Sequence, residues 1–144
     1  MMQTEWCKDV WLFYNILVAF EDCFPYLKEK VTSLFEYAQK VINCGNVLLA
    51  MENGKVIGLC AFYDNDETQN VGYITLIGVK KDYRNRQVGR ALLTECEEVM
   101  KTKGMKSIKL EVDNDNVAKF FYMHMGYKTS ENAGAKSHYM IKQL

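Results

Sequence analysis

The sequence predicts an α/β domain on a mixed sheet, and three observations predict it. Apolar residues recur every three or four positions from Val10 to Ile42, the spacing of amphipathic helices. From Val47 to Val79 the period shortens to that of strands, around one Asn-Gly turn. After Val79 a long helical pattern, a strand, a short helix and a last strand alternate. A chain of 144 residues, 49% hydrophobic and 25% charged, suits one globular domain spanning 1–144.

The first helix places Val10, Phe13, Tyr14, Leu17 and Val18 on one face. Its segment VWLFYNILVAF has the look of a signal peptide's apolar region. Glu5 and Asp9 precede it and no small-residue cleavage site is present, so a buried helix is expected instead. Pro25, the only proline, breaks the chain. The second helix carries Val31, Leu34, Phe35, Ala38, Val41 and Ile42 on one side and stops at Gly45. VLLAMENGKVIGLCAFY is a hairpin turning at Asn53-Gly54, a pair suited to positive φ. DNDETQN is a polar loop. VGYITLIGV, Val71 to Val79, is apolar almost throughout and reads as a central strand covered on both faces.

A helix is expected from about Arg86 to Lys103, with Val88, Ala91, Leu92, Cys96, Val99 and Met100 inward and Gly104 at its end. SIKLEV alternates as a strand, with Ile108, Leu110 and Val112 on one side. DNDN turns the chain into a short helix over VAKFFYMHMGY, closed by Gly126. SHYMIKQL is the last strand. The expected order is two helices, three strands, helix, strand, helix, strand.

No run approaches the ~18 apolar residues of a membrane span. The five cysteines are odd in number and form no CxxC pair, so the sequence suggests neither a disulfide framework nor a zinc site. Each reads as a small core residue, and a reducing cytoplasm is the expected compartment. Net charge is zero, but residues 1–79 carry −5 and residues 80–109 carry +5. A basic third within a neutral chain points to an anionic ligand held locally, not to a nucleic-acid surface.

That basic third contains YRNRQVGRALL, where a buried strand gives way to a helix through three arginines and one glycine. A helix N-terminus offers unpaired N–H groups and a partial positive charge, which together bind anions. Gly89 lets backbone approach a ligand closely, and Ala91 is small for the same reason. Arg84, Arg86 and Arg90 add charge. Neither the P-loop pattern nor the dinucleotide GxGxxG pattern is present.

Read as R-x-x-G-x-A, Arg86-Gln87-Val88-Gly89-Arg90-Ala91 resembles the acetyl-CoA motif of the GNAT superfamily of N-acetyltransferases. That motif follows a strand ending in valine. NDNVAKFFYMHMGY resembles the same family's closing signature, through Ala118, Phe121-Tyr122 and Gly126-Tyr127. The resemblance covers residues ~46–128 and leaves the first 45 unmatched. It implies a mostly antiparallel sheet flanked by helices, in which strands 4 and 5 splay apart to admit the pantetheine arm. Ile77, Gly78 and Val79 would then offer the strand edge, and Gln87, Val88, Gly89, Arg90 and Ala91 would hold the pyrophosphate. The family's asparagine position falls on Asp115, with Asn114 and Asn116 on either side as cofactor contacts.

By the same resemblance Tyr122 is the general acid and contacts the cofactor. A thiol pKa of ~8.5 against a phenol pKa of ~10 makes proton donation to a leaving thiolate feasible. The acceptor amine must lose its proton, and Glu111, late in a strand, is the first candidate base. Glu52, Tyr73, His124 and His138 rank lower. Trp11, Phe13, Tyr14, Phe24 and Tyr26 are expected to shape the acceptor pocket. The predicted activity is acetyl transfer from acetyl-CoA to a primary amine of a small molecule or peptide, with no metal. A non-catalytic acyl-CoA-binding module is the rival reading. Acetyl-CoA and an amine are the expected partners; nucleic acid and membrane are not, and a homodimer is left open.

Overall fold

A computed structural model describes residues 1–144. Seven strands form one sheet in the order β1-β2-β3-β4-β5-β7-β6. They are β1 Gln3–Cys7, β2 Asn46–Glu52, β3 Lys55–Tyr63, β4 Val71–Val79, β5 Ser107–Asp113, β6 Lys128–Asn132 and β7 Ser137–Gln143. All neighbours are antiparallel except β4 and β5, which run parallel. The helices are α1 Val10–Ala19, α2 Leu27–Lys30, α3 Leu34–Cys44, α4 Val88–Thr102 and α5 Ala118–His124. The mixed, mostly antiparallel sheet expected from the sequence is therefore present.

Four details correct the expected order. The chain begins with a strand, β1, paired with β2 from Gln3↔Met51 to Cys7↔Val47. A further strand, β6, precedes the last one and pairs with it. The second helical pattern divides into α2 and α3, because Val31 takes an extended conformation between them. The long helix starts at Val88, two residues later than expected, because Gln87 has a left-handed backbone.

Local chemistry sets these boundaries. Asp9 caps α1 by accepting from Trp11 and Leu12 N–H at 2.9 and 3.2 Å. Ser33 caps α3 by accepting from Glu36 N–H at 3.2 Å. The Asn53-Gly54 hairpin forms with both residues at positive φ, 52° and 76°. The sheet has a core on each face. Leu48, Cys60, Ile74, Leu92, Met100, Leu110 and Tyr122 pack on the α4–α5 side. Phe13, Leu17, Ala38, Val41, Leu49, Leu59 and Ala61 pack on the α1–α3 side. No helix is long and apolar enough to cross a membrane.

The parting of β4 from β5 organises the molecule. Their parallel register runs only from Val71↔Ser107 to Ile74↔Leu110. At the same point β4 carries a bulge. Ala61 and Phe62 of β3 face Leu76 and Ile74, so Thr75 is the extra residue. Past Thr75 the side chains are reset by one position. Ile77 and Val79 pack toward α4, whereas Leu76 packs toward α1 and α3. From Thr75 to Val79 β4 has no partner from β5.

Candidate active site

The unpaired half of β4 runs into the loop that starts α4. Lys80 N–H still donates to Ile57 C=O at 2.8 Å, so the strand is held up to this point. A 3-10 turn at Lys81–Tyr83 follows, and then Asn85 and Gln87 adopt left-handed φ values of 62° and 66°. Asparagine adopts such a conformation readily, whereas glutamine does so at a cost. The first helical bond is Ala91 N–H to Gln87 C=O, 3.0 Å. The N–H groups of Val88, Gly89 and Arg90 precede it, and Gln87 supplies no side-chain cap. Together they make a concave set of donors suited to an anion. A Cβ built at Gly89 would meet only Phe121 Cζ at 3.6 Å and Val79 Cγ2 at 3.8 Å. The protein itself leaves room there.

The three arginines have different surroundings. Arg84 turns to the protein: its Nε donates to Val79 C=O at 2.9 Å and its Nη2 lies 3.7 Å from Cys23 Sγ. Cys23 Sγ approaches the same carbonyl at 3.5 Å. One carbonyl that the sequence reading offered to a pantetheine arm is thus already engaged. The Arg86 guanidinium lies 5.4 Å from the centre of the Tyr83 ring, and Arg90 is exposed on α4. Gly78 faces away from α4, where a Cβ would sit 2.7 Å from Phe24 Cζ. Its missing side chain makes room for the segment after α1. Of the five aromatics expected around an acceptor, Phe24 is therefore the one seated against β4. Phe13 is buried in the core. Trp11 and Tyr14 stack on Phe35, and Tyr26 is exposed.

On the other side stands α5. Phe121 touches the Gly89 position, and Tyr122 follows it, 9% exposed, its ring 5.9 Å from that of Tyr127. No buried side-chain polar atom in the protein lacks a partner, yet the Tyr122 hydroxyl makes no hydrogen bond. It therefore reaches solvent through an opening. Burial raises its pKa, and the Cys60 thiol adds to the effect. Cys60 stands opposite Ile77 in the β3–β4 register, and Tyr122, Cys60 and Ile77 belong to one apolar cluster on the α4–α5 face. Asn116 Oδ1 accepts from Ala118 N–H at 2.9 Å in the turn that leads into α5. Asn114 Oδ1 lies 2.7 Å from His138 Nδ1. Each asparagine side chain has a protein partner.

Glu111 extends from the parted end of β5 on the opposite face. Its Oε2 accepts from Ser137 Oγ at 2.7 Å and lies 3.9 Å from Lys30 Nζ. Its sequence neighbour Lys109 leans elsewhere, 4.0 Å over the Tyr139 ring and 3.8 Å from Glu131. Tyr73 is near enough to be affected. Burial first, and the Glu111 charge second, push its hydroxyl up to about 12. The Tyr37 hydroxyl meets the bulge residue Thr75 at 2.7 Å. Of the weaker candidates, Glu52 lies in the β2–β3 hairpin with β3 between it and β4, and His124 is exposed at the end of α5. His138 is buried against Asn114. Thr75 was a readable signal, as the sole polar side chain in the run YITLIGV. Lys30, Tyr37, Ser137 and Tyr139 carried no pattern linking them to Glu111. Cys44 is exposed and Cys23 half-buried, which corrects the reading of all five cysteines as core residues.

The sequence pattern of the acetyltransferase (GNAT) family matches residues 9–127. The chain belongs to that family. The GNAT match begins ahead of α1, so it takes in most of the first 45 residues that the motifs left unmatched. Among its relatives is the N-alpha-acetyltransferase 30 of Schizosaccharomyces pombe, 32% identical over 82 residues, 55% of either chain. The spermidine N(1)-acetyltransferase of Thermoplasma acidophilum is 28% identical over 109 residues, 67% of this chain and 65% of that one. The chain spans about half to two thirds of the length of the first curated relatives it matches. Its fold resembles the PaiA N-acetyltransferase of Thermoplasma acidophilum, solved in complex with coenzyme A. The TM-score is 0.76 over 99% of each chain, at 20% identity.

Proposed function

We propose that residues 1–144 act as one N-acetyltransferase domain that moves an acetyl group from acetyl-CoA to a primary amine by direct attack within a ternary complex. One observation carries this reading: the unpaired half of β4 leads straight into the uncapped start of α4, with Phe121 of α5 against Gly89 and Tyr122 next along that helix. Coenzyme A in a relative of the same fold supports it. The donor set fits the ligand. Backbone N–H groups of Val88, Gly89 and Arg90, with Arg86 and Arg90, suit a pyrophosphate. The edge of β4 suits the amides of an extended arm. Arg84 holds the end of β4 in place.

Acetyl-CoA supplies the reactive thioester. Glu111 takes a proton from the acceptor ammonium, directly or through water, so that the nitrogen lone pair is free to form the new C–N bond. Tyr122 gives its proton to the sulfur as the C–S bond breaks; the attacking nitrogen sheds its second proton to water, the phenol takes one back from water, and Glu111 releases its own to solvent. Burial keeps that phenol protonated, the state a donor needs. The cytoplasm, where its five thiols stay reduced, is the compartment we assign.

Tyr122→Phe tests the assignment, because it keeps the ring and removes only the hydroxyl. We expect kcat to fall by ~10²-fold, the scale of general acid catalysis, with little change in acetyl-CoA affinity. The loss should shrink with thioesters of more acidic thiols. A variant that turns over at the wild-type rate while chemistry limits would leave Tyr122 as a packing residue.

A further inference from the structure

The wall around Glu111 bears on which amine is used, and the inference rests on the transferase reading above. Glu111 is the carboxylate at the parted end of β5, one lysine ammonium faces it, and a second stands over the neighbouring Tyr139 ring. Lys30 reaches over from α2, with its Nζ 3.9 Å from Glu111 Oε2. That is too long for a hydrogen bond, so the two charges face each other across a gap. Their side chains are 55% and 30% exposed, and such a pair is weak and readily exchanged. Lys109 lies two residues along β5, on the same face, and covers the Tyr139 ring at 4.0 Å.

This arrangement suits one kind of acceptor and opposes another. A wall built for a polycation would leave aromatic faces open and lack ammonium groups. Here the Tyr139 face is already taken by Lys109. A second positive charge on the acceptor would meet Lys30, or Lys109, whose charge Glu131 partly offsets. An acceptor with an amine and an anion a few ångströms apart fits both partners. Its ammonium replaces Lys30 on Glu111, and the displaced Lys30 meets the anion. We infer that the acceptor carries an anionic group beside its reactive amine, with Glu111 receiving the amine and Lys30 reading the anion. A free amino acid and a peptide with an acidic second residue share this chemistry.

Thiol release from saturating acetyl-CoA tests it, on wild type, Lys30→Met and Lys30→Glu. The acceptors are glycine against glycinamide, a Met-Glu peptide against its Met-Gln counterpart, spermidine, and propylamine. Wild type should favour the anionic member of one pair, which also identifies the source. Lys30→Met should reduce that preference roughly two- to fivefold, the scale of one exposed ion pair. Lys30→Glu should reverse it and improve spermidine. Comparing each ratio between variants cancels the intrinsic nucleophilicity of the amines. Equal use of both members by wild type, spermidine as its best acceptor, or ratios unmoved by both variants would overturn the inference and leave the transferase standing. No turnover with any amine would remove the transferase reading, and this inference with it.

Discussion

At the scale of single residues, Gly89 separates what the fold needs from what a ligand needs. A Cβ there makes ordinary contacts, 3.6 Å to Phe121 and 3.8 Å to Val79. Glycine early in a helix also loses more backbone entropy on folding than alanine does. Gly89→Ala should therefore stabilise the free protein by ~0.5 kcal/mol, while coenzyme A binding weakens because the methyl stands where phosphate must approach. Urea midpoints and calorimetric titration would give these two signs. Unchanged affinity in the stabilised variant would remove the loop from the site. Arg84 marks the limit of reading one residue at a time. Its charge and position promised a phosphate contact, yet its guanidinium holds Val79 C=O. Sequence shows that a cation is present, not which acceptor it meets.

At the scale of elements, the bulge at Thr75 decides which side chains of β4 face which core. Deleting Thr75 would restore a regular pleat and turn Ile77 and Val79 toward α1. Phe24 stands there and already leaves no room for a Cβ at Gly78. We expect overpacking of at least ~1–3 kcal/mol and loss of coenzyme A binding. Thr75→Val keeps the residue count and loses only the bond to Tyr37, about 1 kcal/mol. If the two variants have the same urea midpoint, the bulge does not set the facing. Elements with apolar periodicity were legible, as β2, β3, β4 and α4 show. β1 and β6 were not, because their residues QTEWC and KTSEN lie at the two sheet edges and are mostly exposed. An edge strand with a polar surface has no buried face to write into its sequence. The cofactor half we propose could be drawn from the sequence for the opposite reason, since a contiguous motif spells it. The wall around Glu111 is assembled from α2, α3, β4, β5 and β7, and no local pattern records that meeting.

At the scale of the whole molecule, buried phenols give the stability a direction in pH. Burial raises the pKa of Tyr122, and burial together with Glu97 raises that of Tyr127. In the unfolded chain phenols ionise near ~10. Below that pH both states hold these protons, and the two residues add no slope. Above it the unfolded chain binds fewer protons than the folded one, so stability falls with rising pH. Each phenol contributes a slope of about 1.4 kcal/mol per pH unit. Buried thiols add a slope of their own from about pH 8.5, so denaturation midpoints measured from pH 8 to 11 should fall from there and more steeply above about 10, by less in Tyr122→Phe. No steepening there would mean that the phenols titrate as in water. The parting of β4 and β5 also has a consequence for handling the protein. It leaves an edge in the middle of a sheet, next to the run TLIGV, where Arg84 and Cys23 occupy the Val79 carbonyl but no charged side chain of β4 itself guards the rest as charge guards β6. Any extended peptide could pair there, including another copy's. Coenzyme A would then act as a cover. Purified protein without it should scatter more light on standing at high concentration, and a modest excess should keep the solution clear. Equal clouding with and without coenzyme A would mean that the open edge is not where copies associate.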